Sequence, residues 1–296
     1  MGRFLLSFAL TFLSVVVVKA QSHTISLGIY TGITTSYTFD QGINLDPRLQ
    51  ARYDVKFAPV GINLGVDFDG YGVMISPGVL QEGQNHYVVN TSGGQEGQQR
   101  IDLRYLNFPV AFKLHMIDLS FFKVSFTGGL GFAYLLSGKQ TISHNATKLR
   151  FPAAVYPILP EDYTVVYDGV FVPVVNNYVI SGKNDFKPFQ LFGQLGLRSD
   201  WDVSDDWRVS FDFHVNYGIL DPRSDSYLQR LDARQTLYDI PGKRRDFFGQ
   251  LTIGISRYVI IDKKETARKK ISKGSPKKYT TKKYPWPAPR NRKPKP

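Results

Sequence analysis

From Trp207 to Tyr217 the chain alternates strictly between apolar and polar side chains. Trp207, Val209, Phe211, Phe213, Val215 and Tyr217 fall on one side, and Arg208, Ser210, Asp212, His214 and Asn216 on the other. A period of two makes a β-strand with two unlike faces. A soluble sandwich buries the apolar face and solvates the polar one. A membrane barrel turns the apolar face to lipid and the polar face to its lumen.

The start of the chain favours the membrane. Met1-Gly-Arg3 is basic, Phe4 to Val18 is apolar or small, and Val18-Lys19-Ala20 offers a cleavage site before Gln21. This reads as a secretory signal peptide over 1–20, because the run is shorter than the ~20 residues of a spanning helix. No later stretch is long and apolar enough to span as a helix. With no cysteine, the chain has neither a disulfide framework nor thiol chemistry. A closed, hydrogen-bonded barrel needs no such staples.

The formal charge of +12 is not spread evenly. Residues 262–296 hold fourteen Lys or Arg against two acids, whereas 21–261 holds twenty-one against twenty-three. The segment 262–296 is Lys/Arg/Pro-rich and too poor in apolar residues to offset chain entropy, so it reads as a disordered tail. The body, 21–261, is the folded part.

Eight alternating segments run at about 23–37, 51–67, 71–80, 102–116, 119–136, 189–203, 207–217 and 247–261. The expected fold is all-β: an eight-stranded antiparallel transmembrane up-and-down barrel. Short connections (Asp69-Gly70, Ile117-Asp118, Ser204-Asp205-Asp206) alternate with long ones. That is the layout of an outer-membrane barrel with periplasmic turns and outer loops, and an even strand count places both termini in the periplasm. Trp201, Trp207, Tyr134 and Tyr217 sit near segment ends, where aromatic girdles belong.

Several of these segments resemble a known family. Tyr105-Leu-Asn-Phe-Pro109-Val-Ala-Phe-Lys113, Thr127-Gly-Gly-Leu-Gly-Phe-Ala-Tyr-Leu-Leu136, Phe192-Gly-Gln-Leu-Gly-Leu197, Tyr217-Gly-Ile-Leu220 and Arg244-Arg-Asp-Phe-Phe-Gly-Gln-Leu-Thr-Ile-Gly254 are similar, in order, to strands of the PorT-type outer-membrane β-barrel proteins. The resemblance covers most of 24–261 and implies an eight-stranded barrel. The family's named member is needed for type IX protein secretion.

An eight-stranded barrel has room only for its own side chains. Asn63, Asp67, Lys113, Lys123, Arg198, Asp212 and His214 are expected in the lumen, where charges of both signs pair because unpaired burial is expensive. A small-solute pore is the functional alternative. His214 and Asp212 share a face, as a structural pair or a dyad, and His86 and His144 fall in loops where a surface enzyme would need them. No GxSxG motif and no spaced metal-ligand set is present, and Gly128–Gly131 is a strand pattern without a following helix. No catalytic, cofactor or metal residues are therefore assigned.

The long 137–187 connection holds Phe151, Tyr156, Ile158, Leu159, Tyr163 and Val174, with a hairpin signal at Asp168-Gly169. It either binds another protein, with Tyr163, Tyr167 and Phe171 as candidate contacts, or folds back over its own barrel. A third possibility is that the hairpin widens the barrel to ten strands. In the tail, Lys277, Lys278, Lys282, Lys283, Tyr284 and Trp286 are candidate contacts for an acidic periplasmic protein or the anionic cell wall, against a simply solvated tail. Nucleic acid does not suit a periplasmic location. The leading expectation is a non-enzymatic barrel in outer-membrane lipid that serves as an accessory or scaffold beside envelope or secretion proteins. The alternative is a small-solute or hydrophobic-ligand transporter.

Overall fold

The computed structural model describes residues 22–119 and 121–262. The expected leader and the basic segment beyond Asp262 lie outside the described residues. In chain order the elements are β1 (Ser22–Asp40), α1 (Gln41–Leu45), β2 (Leu49–Arg52), β3 (Val55–Lys56), β4 (Val60–Asp67), β5 (Tyr71–Ile75), β6 (Gly78–Glu82), β7 (Asn85–Val89), β8 (Gln95–Leu119) and β9 (Phe122–His144). Then follow β10 (Thr147–Leu149), β11 (Thr164–Val166), β12 (Gly169–Val172), β13 (Val175–Ser181), β14 (Phe189–Asp202), β15 (Trp207–Gly218), α2 (Asp225–Asp232) and β16 (Arg244–Asp262).

Eight of these strands pair in a ring, β1-β4-β5-β8-β9-β14-β15-β16, with β16 beside β1. Each ring strand therefore has a hydrogen-bonded neighbour on both sides. That is the condition for a sheet to stand in hydrocarbon, where no water satisfies a free edge. One turn shows how the ends are closed. Asp69-Gly70 joins β4 to β5, Phe68 N donates to the Tyr71 carbonyl over 2.7 Å, and Gly70 takes φ +81°.

The outward face is a continuous apolar belt. Leu106, Phe108, Val110, Phe112 and Leu114 alternate out of β8, and Phe126, Leu130, Phe132 and Tyr134 out of β9. Leu195 and Leu197 on β14, Phe211 and Phe213 on β15, and Leu251, Ile253 and Ile255 on β16 complete it, all about half exposed. Trp201 and Trp207 stand outward at the short-turn end, with the Trp201 ring 4.4 Å from that of Phe122. At the opposite end Tyr134 meets Phe189 at 5.2 Å.

The strands do not stop where the apolar pattern does. The fourth and fifth segments, expected at 102–116 and 119–136, run to 95–119 and 122–144. The third, expected at 71–80 or longer, continues past residue 80 as β6 and β7, interrupted at Pro77 and at Gly83-Gln84. Beyond the belt the outward residues are polar, so hydropathy marks the edge of the lipid rather than the end of the ladder. The second segment is also corrected. Its first residues, 51–54, leave the ring, and β2 pairs with β7, while Phe57-Ala58-Pro59 bulges between β3 and β4. Proline has no N–H to give the ladder, which fits an interruption there.

The 137–187 connection is structured. Its first residues extend β9, β13 returns along β9, and β10, β12 and β11 form a separate three-stranded sheet. The hairpin signal is real: β11 and β12 are joined through Tyr167-Asp168. It does not enter the ring, so the barrel has eight strands and not ten.

Outward-facing Phe213 sits mid-strand between Leu197 and Leu251. Phe213→Arg is expected to cost about 2–4 kcal/mol in equilibrium unfolding from lipid vesicles, the penalty for a cation near the bilayer midplane. A stability equal to wild type would contradict a lipid-facing belt.

Candidate functional site

The lumen is filled in layers by the inward parity of the strands. Toward the short turns lies a network of buried charges. Asp67 on β4 is paired with Lys113 on β8, and its other oxygen accepts from Arg208 Nη1 at 3.1 Å. Arg208 also holds Asp202 at 2.7 Å. Arg198 donates to Asp200 (2.8 Å), Asp212 (2.9 Å) and Ser210 Oγ (2.7 Å), and Ser210 donates onward to Asp200 at 2.6 Å. His115 Nδ1 lies 2.7 Å from Ser125 Oγ beside this cluster. Inward glycines make the room: a Cβ at Gly72 would collide with Asp67, and one at Gly196 with the ring of His214.

Above the charges a polar band (Tyr30, Asn63, Asn107, Gln194, His214, Gln250) surrounds a small cavity of about 30 Å3. Ser76 Oγ donates to Asn63 at 3.3 Å. Above that, an apolar plug fills the bore. Leu80, Leu103, Tyr105, Leu135, Phe192 and Phe248 are at most 1% exposed, and Phe192 meets Phe248 edge-on at 5.2 Å.

The long-loop end is a packed head rather than a set of open loops. Val88, Ile142, Leu149, Phe151, Val155, Val170, Val172 and Tyr238 form its core. Arg48 lies over the Phe151 ring at 4.3 Å and is bound to Asp46 at 2.7 Å. Between head and plug, Asp40 at the end of β1 is paired with Arg244 at the start of β16, and Arg223 Nη1 lies 3.7 Å away. Arg244 also reaches Gln140 (3.2 Å) and Asp239 (3.7 Å). Tyr227 on α2 donates to Asp239 at 2.8 Å. Burial raises the Asp239 carboxyl above its usual range, with Arg244 pulling the other way.

Residues 19–221 match the family described as the Outer membrane protein beta-barrel domain. The chain belongs to this family. Among solved structures it is similar to the attachment invasion locus protein Ail of Yersinia pestis, at 12% identity over 81% of this chain and 100% of that one, with a TM-score of 0.33. It is likewise similar to OprG from Pseudomonas aeruginosa (11% identity, 81% and 97%, TM-score 0.34) and to the outer membrane protease OmpT from Escherichia coli (10%, 80% and 96%, TM-score 0.36). None of the curated proteins matches the sequence.

In this outer-membrane barrel, six of the seven lumen candidates take the following places. Asp67, Lys113, Arg198 and Asp212 meet in the charge layer, and Asn63 and His214 lie in the polar band. Lys123 instead bonds Asp118 at 2.9 Å at the short-turn rim. His214 is buried, but no hydrogen bond joins it to Asp212, which is committed to Arg198. Asp200, Arg208 and Asp202 were not among the expected residues. The same period-two parity that points to Arg198 and Asp212 also points to them. His86 and His144 are not on an open surface: both are at most 3% exposed, and His144 Nε2 faces Tyr238 Oη at 3.1 Å. Among the described residues no cluster of His, Cys, Asp or Glu has metal-binding geometry.

The hairpin candidates divide. Tyr163 turns inward, its hydroxyl 2.6 Å from that of Tyr238, whereas Tyr167 is fully exposed and Phe171 stands out opposite Thr164. Val170 and Val172 face the head core, so one side of the hairpin caps the barrel and the other stays bare. Lys277, Lys278, Lys282, Lys283, Tyr284 and Trp286 lie outside the described residues.

Removing Arg198 would leave Asp200 and Asp212 buried without their cation. Arg198→Met is expected to cost about 3–5 kcal/mol by urea unfolding in lipid. A loss below about 1 kcal/mol would contradict a charge layer that holds the barrel together.

His86, on β7 beyond the belt, provides a pH handle. Burial first, then Arg244, pushes its pKa from 6.5 down to about 4, while Asp40 and Asp46 pull it up. The folded ring is therefore neutral, and its contribution is fully present above 6.5 and is lost as the pH falls toward about 4. The full loss is about 3 kcal/mol of head stability. Limited proteolysis of 137–187 is expected to accelerate between pH 7.5 and 5, with a shallower profile in His86→Asn. Parallel profiles would contradict the assignment.

Proposed function

We propose that this protein is a non-enzymatic anchor and scaffold in an envelope complex, with its long-loop head outside the cell and both termini in the periplasm. The observation that supports this reading is the filled lumen, with a charge layer below an apolar plug and about 30 Å3 of space between them. A transporter of small solutes or hydrophobic ligands needs a continuous passage, and both layers interrupt it. A catalytic role for the head histidines needs them open to substrate, and they are buried.

Such a barrel works through its ends. The exposed side chains of the hairpin (Val165, Tyr167, Phe171) offer apolar and aromatic surface for a protein partner, the composition that makes interface anchors. The basic tail supplies a second, charge-driven contact in the periplasm. The strand motifs that resemble the PorT-type proteins point to the type IX secretion machinery as the complex to test first.

In-cell crosslinking followed by affinity purification tests this with the full chain, with Tyr167→Asp/Phe171→Asp, and with a chain stopped after Asp262. A defined envelope protein recovered with the full chain and lost with either altered chain is the expected result. No partner with the full chain, or an identical partner set with all three, would overturn the scaffold reading.

A further inference from the structure

Just beyond the apolar belt, at the long-loop end, the outward faces of β8 and β9 change character within one step. Along β8 the outward series runs Phe112, Val110, Phe108, Leu106 and then Arg104, Asp102 and Arg100. Along β9 it runs Phe132, Tyr134 and Leu136 and then, after a one-residue bulge opposite Arg104/Tyr105, Ser137 and Lys139. Cross-strand pairing sets Arg104 against Ser137 and Asp102 against Lys139. Lys183, just after β13, closes the same side, and the whole forms an open groove of about 660 Å3.

The charges in this groove are unusual for this chain. Arg100, Arg104, Lys139 and Lys183 each have no carboxylate within 4 Å among the described residues, while most of the other cations in the folded body are paired (Lys113, Arg198, Arg208, Arg223 and Arg244 among them). The one acid in the groove, Asp102, is held at 3.6 Å by Lys56, which is itself largely buried and further fixed by the Glu82 and Gly83 carbonyls. Four cations therefore face outward with no carboxylate of the described residues bound to them. They do so at the level where acyl chains give way to headgroups, beside Tyr134, an interfacial residue type.

We propose that this groove binds the phosphate groups of an outer-leaflet glycolipid, with the acyl chains lying down Leu106, Phe108, Tyr134 and Leu136. The site rests on the reading that the long-loop end faces outward. Arg104 and Lys139 lie nearest the belt and contact the phosphate directly. Lys183, where the chain descends from β13, lies at the level of Lys139 and joins that contact, whereas Arg100 lies further from the membrane and meets anionic groups of the attached sugars. The occupant is a lipid rather than a soluble polyanion because the cations continue a lipid-covered surface without a break. Position, not charge alone, makes the choice.

Native mass spectrometry of the purified full chain in detergent tests the site, with diphosphorylated lipid A, the same lipid stripped of both phosphates, and inorganic phosphate as probes. Arg104→Ser/Lys139→Ser is compared with Arg150→Ser/Lys243→Ser, cations outside the groove. All four positions are exposed, so folding is preserved, and heat-modifiable gel mobility checks it. The expected result is retention of the diphosphorylated lipid weakened roughly tenfold or more in the groove variant only, the effect of two lost surface cations. Wild type is expected to bind the stripped lipid as weakly as the variant does. Equal retention of both lipids by wild type, equal retention by all three proteins, or competition by millimolar inorganic phosphate as strong as by the lipid would each overturn the proposal. Loss of lipid binding would leave partner recovery unchanged, so this test and that of the scaffold reading fail separately.

Discussion

Inside hydrocarbon a backbone N–H or C=O has no water to fall back on, so every ladder in the belt must be paired on both sides. For this chain the requirement is met by one pairing above all, that of β16 with β1, which turns a meander into a ring. The rest follows from it. Once the sheet closes, alternate side chains are divided between lipid and a bore too narrow to hold bulk water. Outward positions must be apolar, and Phe211, Phe213, Leu251 and Ile253 are. Inward positions must be satisfied by one another, and Asp67, Lys113, Arg198, Arg208 and Asp212 are.

The two lumen layers satisfy that need differently. The charge layer depends on geometry: each guanidinium in it serves more than one carboxylate, so no single bridge is independent. The apolar plug depends on volume, with Tyr105, Phe192 and Phe248 stacked edge-on across the bore. The head repeats the second solution outside the membrane, on strands β8 and β9 that run past the belt. A barrel sealed twice along its length and roofed by its own loops presents surfaces instead of a passage. That links the physics of the ring to the proposed role in holding other molecules.

The ring was readable in the sequence because lipid enforces a strict period of two, and the six residues from Trp207 to Tyr217 on the apolar side carry that signal almost without noise. The short turns were readable for the same reason, since Asp69-Gly70 interrupts two such runs. What could not be read is whatever lies beyond the lipid. Gln95–Ile101 and Lys139–His144 are as much strand as Phe126–Tyr134, but no bilayer demands apolar residues there and the pattern disappears. In the lumen, parity was sufficient to place Arg198 and Asp212 and would have placed Asp200 and Arg208. Lys123 shares that parity and still bonds Asp118, because at the rim a long side chain reaches the nearest acid. The pairing of Asp40 with Arg244 and Arg223 depends on loops brought together only by the fold. The burial of His86 and His144 under the head had no local signal at all.

The account rests on a bore that is shut. Ionic conductance of the purified full chain in planar bilayers tests it most directly. A sealed barrel gives a current indistinguishable from bare lipid across ±100 mV, an applied range within which about 2 kcal/mol per elementary charge acts on the lumen. Steady ohmic steps from the folded, heat-modifiable protein would show that water and ions thread both layers, and would contradict the scaffold account at its base.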